Sequence, residues 1–336
     1  MRWRDAWSSD GRSVRAVAIA ALAAGVVLPA ASPIPARDDA LRNDYRNAAF
    51  TTPLAAGLRA FYTRDFESAR KDFDAALGVV PDNTLAIAMR NATAAQNPGD
   101  LDSLVENEED ALARTPRSAL AHVRVAFSYM FASLTGRDRM LDAREELNAA
   151  VALDPASQAA HTALGIMREG ERSTNRAKTE FLAALESDPQ NVLAREYLAL
   201  IYQEDLKDPQ RALTTVIDVP NLVPDYADIY FHIASLLHDL DQYGAAADYA
   251  TRGLEADVGH VGESGQHGYT LLARIYLDEQ KPADARRVLR ASIAAGCDVG
   301  YATTLLKKID DGAYGKVEAS PSPAASGTPA SPRKPA

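Results

Sequence analysis

The chain has one cysteine, Cys297, in 336 residues. A single thiol excludes both an intramolecular disulfide and a cysteine-built metal cluster. Histidine is scarce as well, and no two of the six stand at the i, i+4 spacing that sets two imidazoles on one helical face. His232 and His238 point apart, and only His260 and His267 could meet across a loop, where simple solvation accounts for both. A Gly-rich phosphate loop is absent. Gly262-Glu263-Ser264-Gly265 departs from a nucleophile elbow at Gln266, with no strand before it, and reads as a flexible inter-repeat loop. Cys297 has no histidine near it in sequence. No motif of a reaction class is left, so the expectation is a chain that is not an enzyme and needs no cofactor and no metal.

Aromatic residues are also few, at 7%, against 47% hydrophobic residues overall. Alanine fills the difference, and that balance favours helices packed at close range over sheets. Positive charge is short. The formal net charge is −10, and without residues 1–36 there remain 32 basic against 44 acidic residues, a net of −12. Such a surface repels phosphates, which excludes nucleic acid as the expected partner. Glu106, Glu108, Glu109 and Asp110 read as part of a solvated acidic face.

What is present begins at the N-terminus. Four arginines lie within residues 1–15, followed by the uncharged run Ala16 to Ala31 and by small residues and prolines through Ala36. A basic leader, a short apolar core and a small-residue exit are the parts of a secretory signal. The core falls short of the ~20 apolar residues that span a bilayer. Residues 1–36 are therefore expected to export the protein across the cytoplasmic membrane, to periplasm, envelope or medium. Cleavage after Ala30 or after Ala36 both fit, and if the segment is retained, residues 16–36 attach the protein to the membrane. At the other end, residues 312–336 hold prolines, alanines and serines with no large apolar residue after Val317, a composition of a disordered tail.

Between these ends prolines mark out phrases. Pro81, Pro116, Pro155, Pro189 and Pro224 follow one another at 35, 39, 34 and 35 residues. Proline ends a helix by removing a donor and crowding the preceding turn. Two residues beyond the first four come Asn83, Ser118, Ser157 and Asn191, all N-cap residues, while Tyr226 breaks the series beside Asp225. Five residues before them stand Ala76, Ala111, Ala150 and Ala184. The clearest phrase runs from Gln158 to Asn191. Gly165, Ala177 and Ala184 offer holes there, and Leu164 and Phe181 offer knobs for a close helix crossing.

Stop, cap and small residue recurring at this period resemble the tetratricopeptide repeat family, a helix-turn-helix unit of ~34 residues. The pattern is carried by Leu164, Gly165, Ala177, Phe181, Ala184 and Pro189. Further copies are Gly57, Phe66, Ala69, Phe73 and Ala76; Leu198, Ala199, Tyr202 and Ala212; Tyr230, Ile233, Ala234, Leu237, Tyr243 and Ala246; and Ala273, Tyr276, Ala285 and Leu289. Ala126, Tyr129, Ala143 and Ala150 fit once extra residues near Ser133 to Arg139 are allowed. The poorest copy spans Thr84 to Ser118, with Arg90, Asn91 and Glu108 where apolar or small residues belong. The resemblance implies an all-α solenoid of about seven repeats over residues 50–311, wound as a right-handed superhelix. Residues 37–49 would be an N-terminal capping helix, and Gly300 to Asp310 would close the other end.

In this family the first helix of each unit lines the concave side. Carried over, the partner-binding stripe is Leu58 and Phe61; Val123, Phe127 and Met130; Glu196 and Gln203; Phe231, Ser235 and His238; and Arg274. Val123, Phe127 and Met130 lie opposite the packing residues Val125, Ala126 and Tyr129, and a helix apolar on both faces is either fully buried or a docking surface. The resemblance thus implies a non-enzymatic scaffold that binds a protein or peptide partner on its concave face. The alternatives are a structural subunit of an envelope complex, using its convex face or ends, and an enzyme hidden in the Asp257 to Gly268 loop.

Overall fold

The computed structural model describes residues 44–314 except 262, and among these it contains helices and no strand. The expected leader and most of the tail lie outside the described residues, as does most of the expected capping helix. Its described part is a 3₁₀ turn, Asp44–Arg46, running into the first repeat. The described residues fall into two compact units, one up to Gly268 and one from Tyr269 on.

The first unit holds six helix pairs. They are α1 (Ala48–Tyr62) with α2 (Phe66–Val79), α3 (Thr84–Ala94) with α4 (Pro98–Arg114), and α5 (Ala119–Leu134) with α6 (Met140–Leu153). Then come α7 (Gln158–Gly170) with α8 (Thr174–Ser187), α9 (Val192–Leu200) with α10 (Pro209–Val216), a short α11 (Val219–Leu222), and α12 (Ala227–Asp239) with α13 (Tyr243–Ala256). Helix starts follow the caps read from sequence. Asn83, Ser118, Ser157 and Asn191 accept from the amides of Ala86, Ala121, Ala160 and Ala194. Tyr226 makes no such bond.

Pairing depends on small residues under aromatic rings. A Cβ on Gly165 would stand 2.5 Å from the Phe181 ring, and one on Gly57 would stand 2.8 Å from Phe73. Ala199 and Ala234 are fully buried at the same place in their units. The second repeat departs from this. Glu108 lies 16 residues after Ala92, as Phe181 lies 16 after Gly165, so a carboxylate replaces the ring. Arg90 reaches into the same space and pairs with Glu108, with both side chains buried. Helix α4 accordingly leans away from α3 and packs chiefly on α5. Glu108 is thus not on a solvated acidic face; the two guanidinium groups beside it hold it inside.

The first helices also meet one another across the turn of the solenoid. Thr84 Oγ1 donates to Asn191 Oδ1 at 2.9 Å, Asn191 Nδ2 donates to Thr162 Oγ1 at 2.9 Å, and Gln158 Nε2 donates to the Asp82 carbonyl at 2.6 Å. The first repeat then touches the sixth. Tyr62 Oη donates to Asp228 Oδ2 at 2.9 Å, the Gly259 amide donates to the Tyr62 carbonyl at 2.7 Å, and Arg64 Nε donates to the Gly259 carbonyl at 2.9 Å. Helix α14 (Glu263–Asp278) begins at Glu263, so Ser264 and Gly265, read as loop, lie in its first turn.

In the second unit the rest of α14, α15 (Pro282–Ala295) and α16 (Val299–Asp310) bury Leu272, Ala273, Leu289, Ala302, Leu305 and Ile309. Gly296 stops α15 in the left-handed region at φ 75°, where a side chain would be strained. Helix α16 buries one stripe and exposes Lys307, Lys308 and Asp310.

Candidate partner-binding surfaces

The structure separates the predicted stripe into a covered half and an open half. Leu58, Val123, Phe127 and Met130 are fully buried, and Phe61 and Phe231 nearly so. None presents a surface to a partner in this conformation, against the reading of an exposed apolar stripe. For Val123, Phe127 and Met130 the cause is the tight turn: α3, α5, α7 and α9 pack on one another, so these three side chains fill the core. Phe231 is itself a knob. A Cβ on Gly253 would stand 2.7 Å from its ring and one on Gly268 2.5 Å, a pair of holes the alanine pattern did not show.

Glu196 is half-buried and accepts from Tyr226 Oη at 2.7 Å. Burial pushes its carboxyl up to about 8, with the nearby Asp228 charge adding to the effect. Tyr226 and Tyr62 are also held well above the ordinary phenol range by burial and by these carboxylates. Glu196 is thus turned toward Tyr226 and holds its proton more tightly than a free carboxyl.

The polar residues of the stripe remain open. After Leu200 the helix widens into one π-turn, Ile201–Asp205, which carries Gln203. π-turns of this kind often sit at functional sites. Gln203 Nε2 donates to Ser235 Oγ at 3.1 Å and to Asp239 Oδ2 at 2.6 Å, joining two consecutive first helices. Around them opens a groove of about 520 Å³ lined by Gln203, Glu204, Lys207, Pro209, Ser235 and Asp239. Lys207, in the groove wall, holds φ 53°. Leu206 beside it is exposed. His238 is half-buried, its ring centroid 5.7 Å from that of Tyr243. Arg274 belongs to the second unit and is exposed there. The family resemblance, carried over residue by residue, picked out Gln203 and Ser235; Glu204, Lys207 and Asp239 carried no signal of their own.

His260 sits in the turn before α14 at φ 48°, and its carbonyl accepts from Arg64 Nη2 at 3.5 Å. Burial and the Arg64 charge lower its pKa. Among the described residues no three His, Cys, Asp or Glu side chains gather in a geometry that could hold a metal ion.

Comparison with known proteins agrees with this architecture. Residues 227–257, which form α12 and α13, match the family model described as tetratricopeptide repeat. No curated protein matches the chain. Among solved structures, the human IFIT1 dimer with m7Gppp-AAAA shares 15% identity over 73% of this chain and 58% of that one, with a TM-score of 0.53. YrrB, described as a TPR protein with an unusual peptide-binding site, shares 18% identity over 60% of this chain and 99% of that one, at a TM-score of 0.47. Pseudomonas aeruginosa pilF shares 18% identity over 73% of this chain and 92% of its own, at 0.40. The fold is that of a tetratricopeptide-like helical solenoid. Residues 227–257 thus match one tetratricopeptide repeat, and the likeness to the IFIT1 structure is one of fold.

Proposed function

We propose that the protein is an exported, non-enzymatic scaffold that holds a segment of a partner protein in the groove formed by Gln203, Ser235 and Asp239. The observation that carries this reading is the Gln203 bridge from a π-turn to two residues of the next first helix, on the part of the inner stripe left open. The groove offers carboxylates at Glu204 and Asp239 and one ammonium at Lys207. It suits an extended segment that presents a basic side chain and backbone amides, and its predominantly polar walls argue against a purely apolar anchor.

A photocrosslinking side chain placed at Asp239 tests this in cells, with the same side chain at exposed Leu182 on α8 as control. One partner captured at Asp239 and not at Leu182, and lost again when Gln203→Ala is added, is the expected result. Equal capture at both positions overturns the groove. Export is tested by fractionating cells that make the full chain; recovery in the cytoplasm with the leader intact overturns that part.

The assembly reading rests on a different observation. Helix α16 exposes Val299 and Tyr301, two large apolar residues near its start. Capture at Tyr301, with none at Asp239, would favour a subunit that docks through its end.

A further inference from the structure

Six residues after each of four phrase-ending prolines, a side chain turns back to that proline's carbonyl. His122 Nε2 meets the Pro116 carbonyl at 3.1 Å and His161 Nε2 the Pro155 carbonyl at 2.9 Å. Arg195 Nε donates to the Pro189 carbonyl at 2.6 Å, and Tyr230 Oη to that of Pro224 at 2.9 Å. Three of the four also reach a carboxylate on, or just beyond, the second helix of their own pair. His122 Nδ1 meets Glu146 on α6, His161 Nδ1 meets Glu180 on α8 at 2.8 Å, and Arg195 Nη1 donates to Asp218 after α10 at 2.7 Å. Each of these side chains is a clasp between the turn before a first helix and the second helix that follows it.

Arginine can hold such a clasp at any pH, because a guanidinium always has donors for both sides. A neutral imidazole has one donor. Both neighbours of each histidine here are acceptors, so the clasp is complete only when both ring nitrogens carry protons. The groups that face His161 are Glu180 on α8 and, in the turn before α7, the Pro155 carbonyl and the Asp154 carboxylate. The Glu180 hydrogen bond, with the Pro155 carbonyl and the two carboxylate charges behind it, raises the imidazole above its ordinary 6.5 against the opposing effect of burial. A histidine raised in the fold contributes fully below about 6.5 and loses its contribution as pH rises through the folded value. Asp154 has no counterpart beside His122, where Thr115 precedes the proline.

The place of His161 gives the clasp its consequence. The start of α7 also carries Gln158, which donates to the Asp82 carbonyl at 2.6 Å, and Thr162, which accepts from Asn191 at 2.9 Å. These are the bonds that hold α7 across the turn of the solenoid. We propose that His161 is a pH-operated clasp: doubly protonated, it locks residues 154–157 to α8, and on losing one proton it frees that turn and the start of α7.

Hydrogen exchange of the full chain, corrected for the intrinsic effect of pH, tests this in peptides that cover residues 154–163, from about pH 5.5 to about pH 9. Protection there is expected to fall as pH rises in the natural chain. His161→Arg puts at this place the side chain that the next repeat uses at Arg195, and should keep protection across the whole range. Titrations elsewhere, that of Glu196 included, are common to both chains and cancel in the comparison. Glu180→Gln keeps the shape and offers either a donor or an acceptor to Nδ1, so it should also flatten the profile. Protection that does not change with pH in the natural chain overturns the proposal, as does an equal fall in His161→Arg. Should Glu180→Gln weaken the fold outright, the arginine variant still decides.

Discussion

Tyr62 and Asp228 lie 166 positions apart and share a hydrogen bond of 2.9 Å. That bond joins the end of α1 to the start of α12 and so ties the first repeat to the sixth. A second tie, Arg59 with Asp225 at 3.0 Å, lies beside it, but Arg59 is 60% exposed. Exposed ion pairs contribute about 0–1 kcal/mol, whereas removing a donor from a half-buried carboxylate costs about 1–3 kcal/mol. The tyrosine should therefore be the stronger tie. Tyr62→Phe is expected to lower stability by about 1–3 kcal/mol and Arg59→Ala by under about 1. Hydrogen exchange at the Gly259 amide, bonded to the Tyr62 carbonyl, should quicken in Tyr62→Phe before the rest of the unit opens. Equal effects from both substitutions would mean that the seam is held by something else.

The same seam should make the fold sensitive to alkali. Glu196 titrates at about 8 in the folded chain, against an ordinary 4.5. A carboxyl whose folded value is raised binds its proton more tightly folded than unfolded. Its contribution is complete below about pH 4.5 and is lost as pH rises toward 8. The groups that face it are Tyr226, which donates to it, and the Asp228 carboxylate. Glu196→Gln keeps the shape and removes the titration. It should be near neutral at pH 5 and stabilising by about 1–2 kcal/mol at pH 8.5, once screening of a half-buried group is allowed for. Denaturant melts of both proteins across that range give the comparison, and parallel pH profiles would refute the assignment.

Close crossing and helix propensity can be set against each other at two glycines. Alanine is favoured over glycine in a helix by about 1 kcal/mol. At Gly78 a Cβ meets nothing within 4 Å, so Gly78→Ala should gain a few tenths of a kcal/mol or more. At Gly165 it meets the Phe181 ring at 2.5 Å, and overpacking of about 1–3 kcal/mol exceeds the gain. Gly165→Ala should lower the melting temperature while Gly78→Ala raises it, and Gly165→Leu should lower it further. A rise in both alanine variants would rule out the crossing described for α7 and α8.

These crossings were legible because they depend on residues three or four apart along one helix and on stops and caps at a fixed period. Asn83, Ser118, Ser157 and Asn191 needed no tertiary knowledge to be read as caps. What the period does not carry is contact between units that are not neighbours. Tyr62, Asp225 and Asp228 form no repeating pattern, so nothing in the chain announced that the turn would close. The apolar half of the stripe was therefore carried as a candidate docking surface beside the reading of full burial, and it is interior. Arg90 and Glu108 were visible as departures from the repeat, yet a separation of 18 residues does not show that they pair. Phe231 was placed on the stripe because its holes, Gly253 and Gly268, lie in two different helices.

The pairing of Arg90 with Glu108 leads to a prediction about why the second repeat is splayed. Glu108→Ala leaves the buried Arg90 and the part-buried Arg124 without their shared carboxylate. Breaking a buried pair in this way costs about 3–5 kcal/mol. Replacing both partners differs in kind, because the one charge left without its carboxylate is Arg124, which is 24% exposed and can turn to water. Arg90→Leu combined with Glu108→Phe restores a ring 16 residues after Ala92, the arrangement that α7 and α8 use at Gly165 and Phe181. That double variant is expected to be as stable as the natural chain or more stable by about 1–4 kcal/mol. It should also draw α4 onto α3 and fill the space beside Arg124. Thermal melts of the single and double variants decide the matter. A double variant as unstable as Glu108→Ala alone would show that the ion pair does not cause the lean of α4, and that the packing of α4 on α5 does.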